Sequence, residues 1–430
     1  MLKRLVLTST VLIFAGGGIS AQQRDKLADF LPGLYGPGIT LADPSSAGFP
    51  THRAHFLQSS QESLRQFNTS VISQLTSLPL SSPASGFTYM VDPTLGTMTR
   101  SAQSFGPILA ERAETIGKNR LNIGFSYQHF GFDQLEGRDL DSVTAVFRHE
   151  DIPNVDIPFE QDVITTTSNI DLAVDEFTVF LTYGLTDAVD VSVAMPIVRS
   201  DLHITSTADI QRVGSGATSD IHRFIETGGP ENTWNVGGTA SGIGDILLRG
   251  KATVLRWEHG GLALAGDLRL PTGDEENLLG SGAVGVKPFA AVSLKYGIFS
   301  PHVNVGYQWN GDSKLAGDIM TGTEGDLPDQ FLFTGGVDVG VHPKVTVAFD
   351  LLGQRIIDSQ RVTWTSVTAG NQTYPDFGFR TGSFNMVNGA AGVKFNPFSQ
   401  FLVDVSLIFA IDNDGLRDDA TPLVGFSYNF

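Results

Sequence analysis

The chain has 430 residues with 48 Gly, 29 Phe and no Cys; 17% are charged and 41% hydrophobic. A formal charge of −18 argues against nucleic acid as a partner, because phosphates need a basic surface. Few charges beside ordinary hydrophobicity argue against a string of soluble domains and suit strands with one apolar and one polar face. The lack of Cys is compatible with an oxidising compartment and does not prove one.

At the N-terminus, Lys3 and Arg4 precede the apolar run Leu5 to Ala15, which Gly16 to Gly18 break before Ile19-Ser20-Ala21. The run is too short to span a bilayer as a helix. Residues 1–21 are therefore expected to be a secretory signal peptide, with an N-terminal anchor helix as the alternative. No later window holds enough consecutive apolar residues for a spanning helix.

Residues 22–85 carry Pro32, Pro37, Pro44 and Pro50. Then Phe56, Leu57, Leu64, Phe67, Val71, Ile72, Leu75 and Leu78 follow at helical spacings. This pattern predicts an amphipathic helix over about 50–78, ended by Pro79 and Pro83. Its apolar stripe must cover something: a barrel lumen that it plugs, a periplasmic mouth, or a partner.

From Gly86 onward, runs of period two recur. Leu121, Ile123, Phe125 and Tyr127 form one apolar face, and Phe177, Val179, Leu181 and Tyr183 another. Val191 to Ile197, Leu262 to Leu270, Val303 to Trp309, Val337 to Val341, Val345 to Leu351 and Phe401 to Phe409 repeat the alternation. Each run is near the ~9–11 residues that a tilted strand needs to cross a bilayer. Short links such as 184–190 and 342–344 alternate with long ones such as 131–168, 211–242 and 358–382, which is the asymmetry of outer-membrane barrels.

The expected fold is all-β: a transmembrane antiparallel β-barrel of the outer membrane over residues 86–430. It has about 14 strands, and because 86–92 and 96–113 are the weakest, about 12 is the alternative. A soluble β-sandwich or solenoid would need a core under every one of these aromatic faces.

The chain ends with Val424, Phe426, Tyr428 and Phe430 alternating with Gly425, Ser427 and Asn429. In water such an aromatic edge invites aggregation. In a closed barrel, lipid covers the face and the first strand pairs the edge. The ending looks like the last strand of Gram-negative outer-membrane proteins. Phe426, Tyr428 and Phe430 are accordingly read as the signal for the outer-membrane assembly machinery.

The same parity places Arg249, Lys251, Asp267, Arg269, His302, Asn304, Gln308, Asp338, Asp350 and Asp404 on the phase opposite the aliphatics. These are the lumen-lining candidates, since a charge on the lipid face costs roughly 2–4 kcal/mol near the midplane. Both signs occur, so an ion-paired structural network is preferred over a dedicated substrate site. Lipid and lipopolysaccharide are the expected surroundings, with acidic loops outside.

Three motifs lack their context. Gly280-Ser-Gly-Ala-Val-Gly285 is followed by strand rather than helix, so it is not a dinucleotide site. Asp412-Asn-Asp-Gly415 lacks the closing Glu of a calcium loop, and Pro271 to Asn277 reads as a turn. The nine His show no metal-ligand spacing, and no nucleophile elbow appears. No catalytic, metal or cofactor residue is assigned, no cofactor is expected, and the chain is not expected to be an enzyme.

Several segments together resemble one bacterial family. They are Gly86-Phe-Thr-Tyr89, Ser104-Phe-Gly-Pro-Ile-Leu-Ala-Glu-Arg-Ala113, Asn122-Ile-Gly-Phe-Ser-Tyr-Gln128, Leu270-Pro-Thr-Gly-Asp274 with Leu278-Leu-Gly-Ser-Gly282, and Pro301 to Trp309. They look like the transporter family named for the meta-pathway of phenol degradation, similar in outline to channels for long-chain fatty acids and aromatic hydrocarbons. The resemblance implies an outer-membrane barrel that passes small hydrophobic or aromatic solutes. A passive channel gated by the N-terminal segment is the expected function. The alternative is a non-conducting structural or partner-binding barrel.

Overall fold

The computed structural model describes residues 26–44, 53–79, 89–91, 98–100, 104–150, 158–214 and 221–430. The expected signal peptide lies outside these residues.

Twelve antiparallel strands form the wall. In chain order they are β1 (Leu121–Phe132), β2 (Val163–Gly184), β3 (Val189–Gln211), β4 (Ile246–Trp257), β5 (Gly260–Leu270) and β6 (Gly285–Leu294). They continue as β7 (Phe299–Asn310), β8 (Gln330–His342), β9 (Val345–Ala369), β10 (Gln372–Phe395), β11 (Phe401–Ala410) and β12 (Ala420–Asn429). Each pairs with the next, and β12 returns to β1 with Phe426 opposite Phe125, so the sheet closes. Two more strands extend it beyond the ring. Val143–Arg148 lies along the far end of β2, and Glu231–Ile243 along the far end of β3. Glu231–Ile243 leads into β4 across Gly244 and Asp245, so β3 pairs first with one and then with the other.

Of the stretches 86–92 and 96–113, expected as the first two strands, no described residue is in the wall. Tyr89–Val91 and Met98–Arg100 pair with each other as a small ribbon. From Ser104 the chain enters the barrel. The reason is local: Gly106 has φ +97°, outside any strand conformation, and Pro107 has no N–H for a ladder. Removing these two leaves the even number that parity requires. The expected loop 358–382 is also largely strand, because β9 and β10 continue as one long hairpin closed at Ala369 opposite Gln372. At 25 and 24 residues, these strands are far longer than a bilayer needs.

The outer face is apolar all round. Phe125, Leu181, Val193, Leu264, Val286, Val305, Phe333, Leu351, Val405 and Phe426 are all exposed, and they come from ten of the twelve strands. Aromatics gather toward the end with the tight turns: Trp257, Tyr296, Phe299, Phe395, Phe398 and Phe430. At the other end of β1 to β3 the outward residues turn polar, where Tyr127 Oη donates to Asp175 at 2.7 Å and His129 Nδ1 lies 2.8 Å from the same carboxylate. An apolar band between an aromatic girdle and polar extensions fits hydrocarbon, and closure leaves no unpaired edge within it. The protein is a β-barrel of the outer membrane.

The N-terminal residues fill the barrel end away from the tight turns. The helix α1 spans Leu57–Ile72, shorter than expected, and tightens into a 3-10 turn over Ser73–Ser77. Phe56, Leu64, Phe67, Val71 and Ile72 join one apolar cluster with Leu31, Leu34 and Ile39 and with inward residues of β1 to β3 such as Phe130, Leu172 and Ile204. The apolar stripe is therefore covered by the inner faces of the strand extensions.

Candidate functional site

The barrel end near the tight turns is filled by residues 104–117, a segment without helix or strand. It has no ladder of its own, so its backbone groups must find side chains. The wall supplies them. Thr346 Oγ1 accepts from Phe105 N at 2.9 Å, and Asp350 Oδ2 accepts from Ile108 N and Leu109 N at 2.9 and 3.0 Å. Asn304 both accepts from Glu111 N at 2.6 Å and donates to Glu111 O at 2.8 Å. Ser293 accepts from Ala113 N, Thr253 donates to Ala113 O, and Asp190 accepts from Ile116 N. Lys394 donates to Pro107 O, and Lys251 donates to the carbonyls of Arg112 and Glu114.

Charge pairs reinforce these bonds. Arg249 grips Asp267 through Nε and Nη2 at 2.6 and 2.8 Å, while its Nη1 reaches Glu111 of the segment at 2.6 Å. Lys251 holds the other Glu111 oxygen at 2.8 Å. Arg112 folds back over Gly106 and reaches Asp338 at 3.3 Å. Asp338 also faces His302 Nδ1 at 3.1 Å, and His302 Nε2 lies 2.7 Å from Asp350. Ions removed from water this completely need such pairing, and breaking one partner costs about 3–5 kcal/mol.

Between this plug and the tail of the helix lies a chamber of about 220 Å³. Its floor includes Leu109 and Glu111 and its roof Thr76 to Pro79; its sides come from strands β2 to β10. Arg249, Asp267, Arg269 and Lys287 lie on one arc, and Leu332, Leu352 and Met386 on the next. A smaller cavity of about 100 Å³ adjoins it under Leu278 and Leu279, sharing Thr76, Leu78, Leu247 and Arg269.

All ten lumen candidates turn to the interior. Arg249, Asp267, Arg269, Asn304 and Gln308 line the chamber. Lys251, His302, Asp338 and Asp350 lie deeper, as sockets for the plug. Asp404 lies apart from both, opposite Lys394 in register and against Gly425. Phe426 and Phe430 face outward on and just past β12, and Tyr428 is half-buried between them. Sequence reasoning missed the plug residues Glu111 and Arg112, together with Lys287, Phe289, Leu332, Leu352 and Met386. Lys287 was within reach of the parity rule, since it alternates with the outward Val286.

The three motifs resolve into turns. Asp412 and Asp414 pair with Arg417 and Arg361. Asp274 caps Asn277 N at 3.3 Å, and Asp245 accepts from Gly273 N and Ser281 N, tying the glycine-rich loop to the wall.

Solved structures with a similar outline include an outer membrane channel from Pseudomonas putida F1, at 14% identity and TM-score 0.42, covering 74% of this chain and 98% of that one. A Pseudomonas aeruginosa FadL homologue matches at 8% identity and TM-score 0.30, covering 73% and 89%. The P. putida toluene transporter TodX matches at 8% identity and TM-score 0.32, covering 73% and 90%. No curated protein sequence matches the chain significantly. The family described as "Putative MetA-pathway of phenol degradation" matches residues 161–414, more than half of the chain, and the protein belongs to that family.

Proposed function

We propose that the barrel is a passive outer-membrane channel for small hydrophobic or aromatic solutes, closed in the form described here, with residues 104–117 as the movable plug. The observation that carries this reading is the chamber: a half-apolar space across the lumen, bordered below by Leu109 and Glu111 and above by Thr76 to Pro79. A barrel built only as a scaffold has no need to keep such a space between two stoppers. The plug is also held mainly by side chain to backbone bonds, which water can replace one at a time as the segment withdraws. The family's association with phenol degradation supports an aromatic solute. The channel reading assigns no catalytic residue.

The chain has no Cys, so one engineered pair is unambiguous. A Cβ built on Gly261 would lie 3.6 Å from the Cβ of Ala113, within the range of a disulfide. In Ala113→Cys/Gly261→Cys, oxidation should stop uptake of a small aromatic probe into proteoliposomes, and reduction should restore it. Equal uptake in both redox states would rule out this plug as the gate. No uptake by wild type in either state would favour the alternative, a non-conducting barrel.

A further inference from the structure

We propose that the chamber is a binding site for a small aromatic carboxylate, whose anionic group takes donors of Arg249, Lys287 and Arg269 in competition with Glu111 of the plug. The proposal rests on the channel reading only in that solute must reach the chamber.

The electrostatics favour an anion. Three cationic side chains and two carboxylates line the space: Arg249, Arg269 and Lys287 against Glu111 and Asp267. Both carboxylates are already engaged. Asp267 takes two bonds from Arg249 and a contact of 3.0 Å from Lys287, and Glu111 is shared between Arg249 and Lys251. Donors remain. Lys287 has three N–H groups, of which Asp267 engages one among the described residues, and its side chain is 24% exposed to the cavity. Arg269 donates to Thr76 O at 3.1 Å and to Asn310 at 2.9 Å, while its Nε makes no hydrogen bond among the described residues and faces the Asp245 carboxylate at 3.7 Å. At that distance the pair with Asp245 falls short of a hydrogen bond, which an incoming carboxylate would supply.

The remainder of the chamber favours a compact ring. Leu109, Leu247, Leu332, Leu352 and Met386 give an apolar wall. A planar ring against it offers its face to the neighbouring cations, as Phe289 already does to Arg249 and Lys287 at 5.1 and 5.7 Å from its centroid.

Glu111 gives the site a second property. Its carboxylate holds Arg249 at 2.6 Å from the chamber floor, so it occupies a guanidinium donor that a bound carboxylate would use. Ligand binding and plug seating therefore oppose each other through one residue.

Calorimetric titration of the full-length barrel in detergent with benzoate, and with benzyl alcohol as the neutral isostere, tests this. Benzoate should bind at least about tenfold more tightly than benzyl alcohol, the factor expected for a charged hydrogen bond. Lys287→Met should weaken benzoate about tenfold and benzyl alcohol far less, because the alcohol loses only a ring–cation contact. Glu111→Gln should tighten benzoate, which a merely structural role for Glu111 does not predict. Equal binding of the two compounds, indifference to Lys287→Met, or no benzoate binding at all would overturn the site. If that happens while reduction of the engineered disulfide still opens uptake, the channel stands and only the anion site falls.

Discussion

His302 Nε2 lies 2.7 Å from Asp350 Oδ1, while the second oxygen of Asp350 receives the backbone N–H groups of Ile108 and Leu109. One carboxylate thus joins a wall imidazole to plug backbone 241 and 242 positions away in the chain. Asp350→Ala removes both amide anchors and leaves His302 facing Asp338 alone. Breaking such a buried pair costs about 3–5 kcal/mol. The variant should melt at lower temperature and leak more in a liposome-swelling assay. Unchanged permeability would show that the plug does not depend on this clamp.

Gly184 sits where the plug passes into β1. A Cβ there would lie 1.8 Å from the carbonyl oxygen of Gly117, which no rotamer relieves because the clash is with backbone. Gly184→Ala forces the plug exit to move, at a cost of about 1–3 kcal/mol or more for overpacking. The expected result is a folded barrel with raised leak; wild-type leak and stability would refute the close approach.

The two faces of the wall can be tested by one charge in two places. Leu264 is 53% exposed on the outer face, whereas Gln308 points into the chamber. Leu264→Arg should cost roughly 2–4 kcal/mol in the membrane and lower the yield of folded barrel on refolding into vesicles. Gln308→Arg should fold normally. Equal yields, read from the mobility of unheated samples on gels, would contradict the assignment of faces.

Lys26 joins the N-terminal segment to the hairpin outside the bilayer by contacts of 3.2 Å to Asp274 and 3.5 Å to Glu276. The Lys314 hydrogen bond to Glu276, at 2.7 Å, holds that carboxyl below its usual range despite partial burial. A carboxyl lowered on folding contributes stability above its unfolded pKa, and the contribution is lost as pH falls through the folded value. These groups are part-exposed, so the effect is small and weakens with salt. The thermal midpoint should drop between about pH 5 and pH 3, and drop less in Glu276→Gln. A variant with the wild-type pH profile would remove this tether from the account.

The wall was legible because its signal is local. Period two separates Leu264 and Leu268 from Asp267 and Arg269 within a single strand, and the cost of a charge in hydrocarbon makes that separation obligatory. The helix was legible from its stripe, though its ends were not, since Phe56 and the turn after Ile72 are decided by packing in the cluster. The far part of the β9–β10 hairpin reads as a loop in the sequence because polar residues such as Gln360, Arg361 and Thr365 hide its pairing.

The chain alone therefore determined a closed barrel with a greasy outside, an ionic inside and a helix seeking apolar cover. It did not reveal what the ionic residues were for. Residues 104–117 have no period, and their partners at Asn304, Asp338, Asp350 and Lys394 lie some 190 to 290 positions later in the chain. Only closure of the wall brings those side chains around one segment. For that reason the tertiary structure, and not the pattern of residues, decided that the lumen is plugged and where a chamber remains.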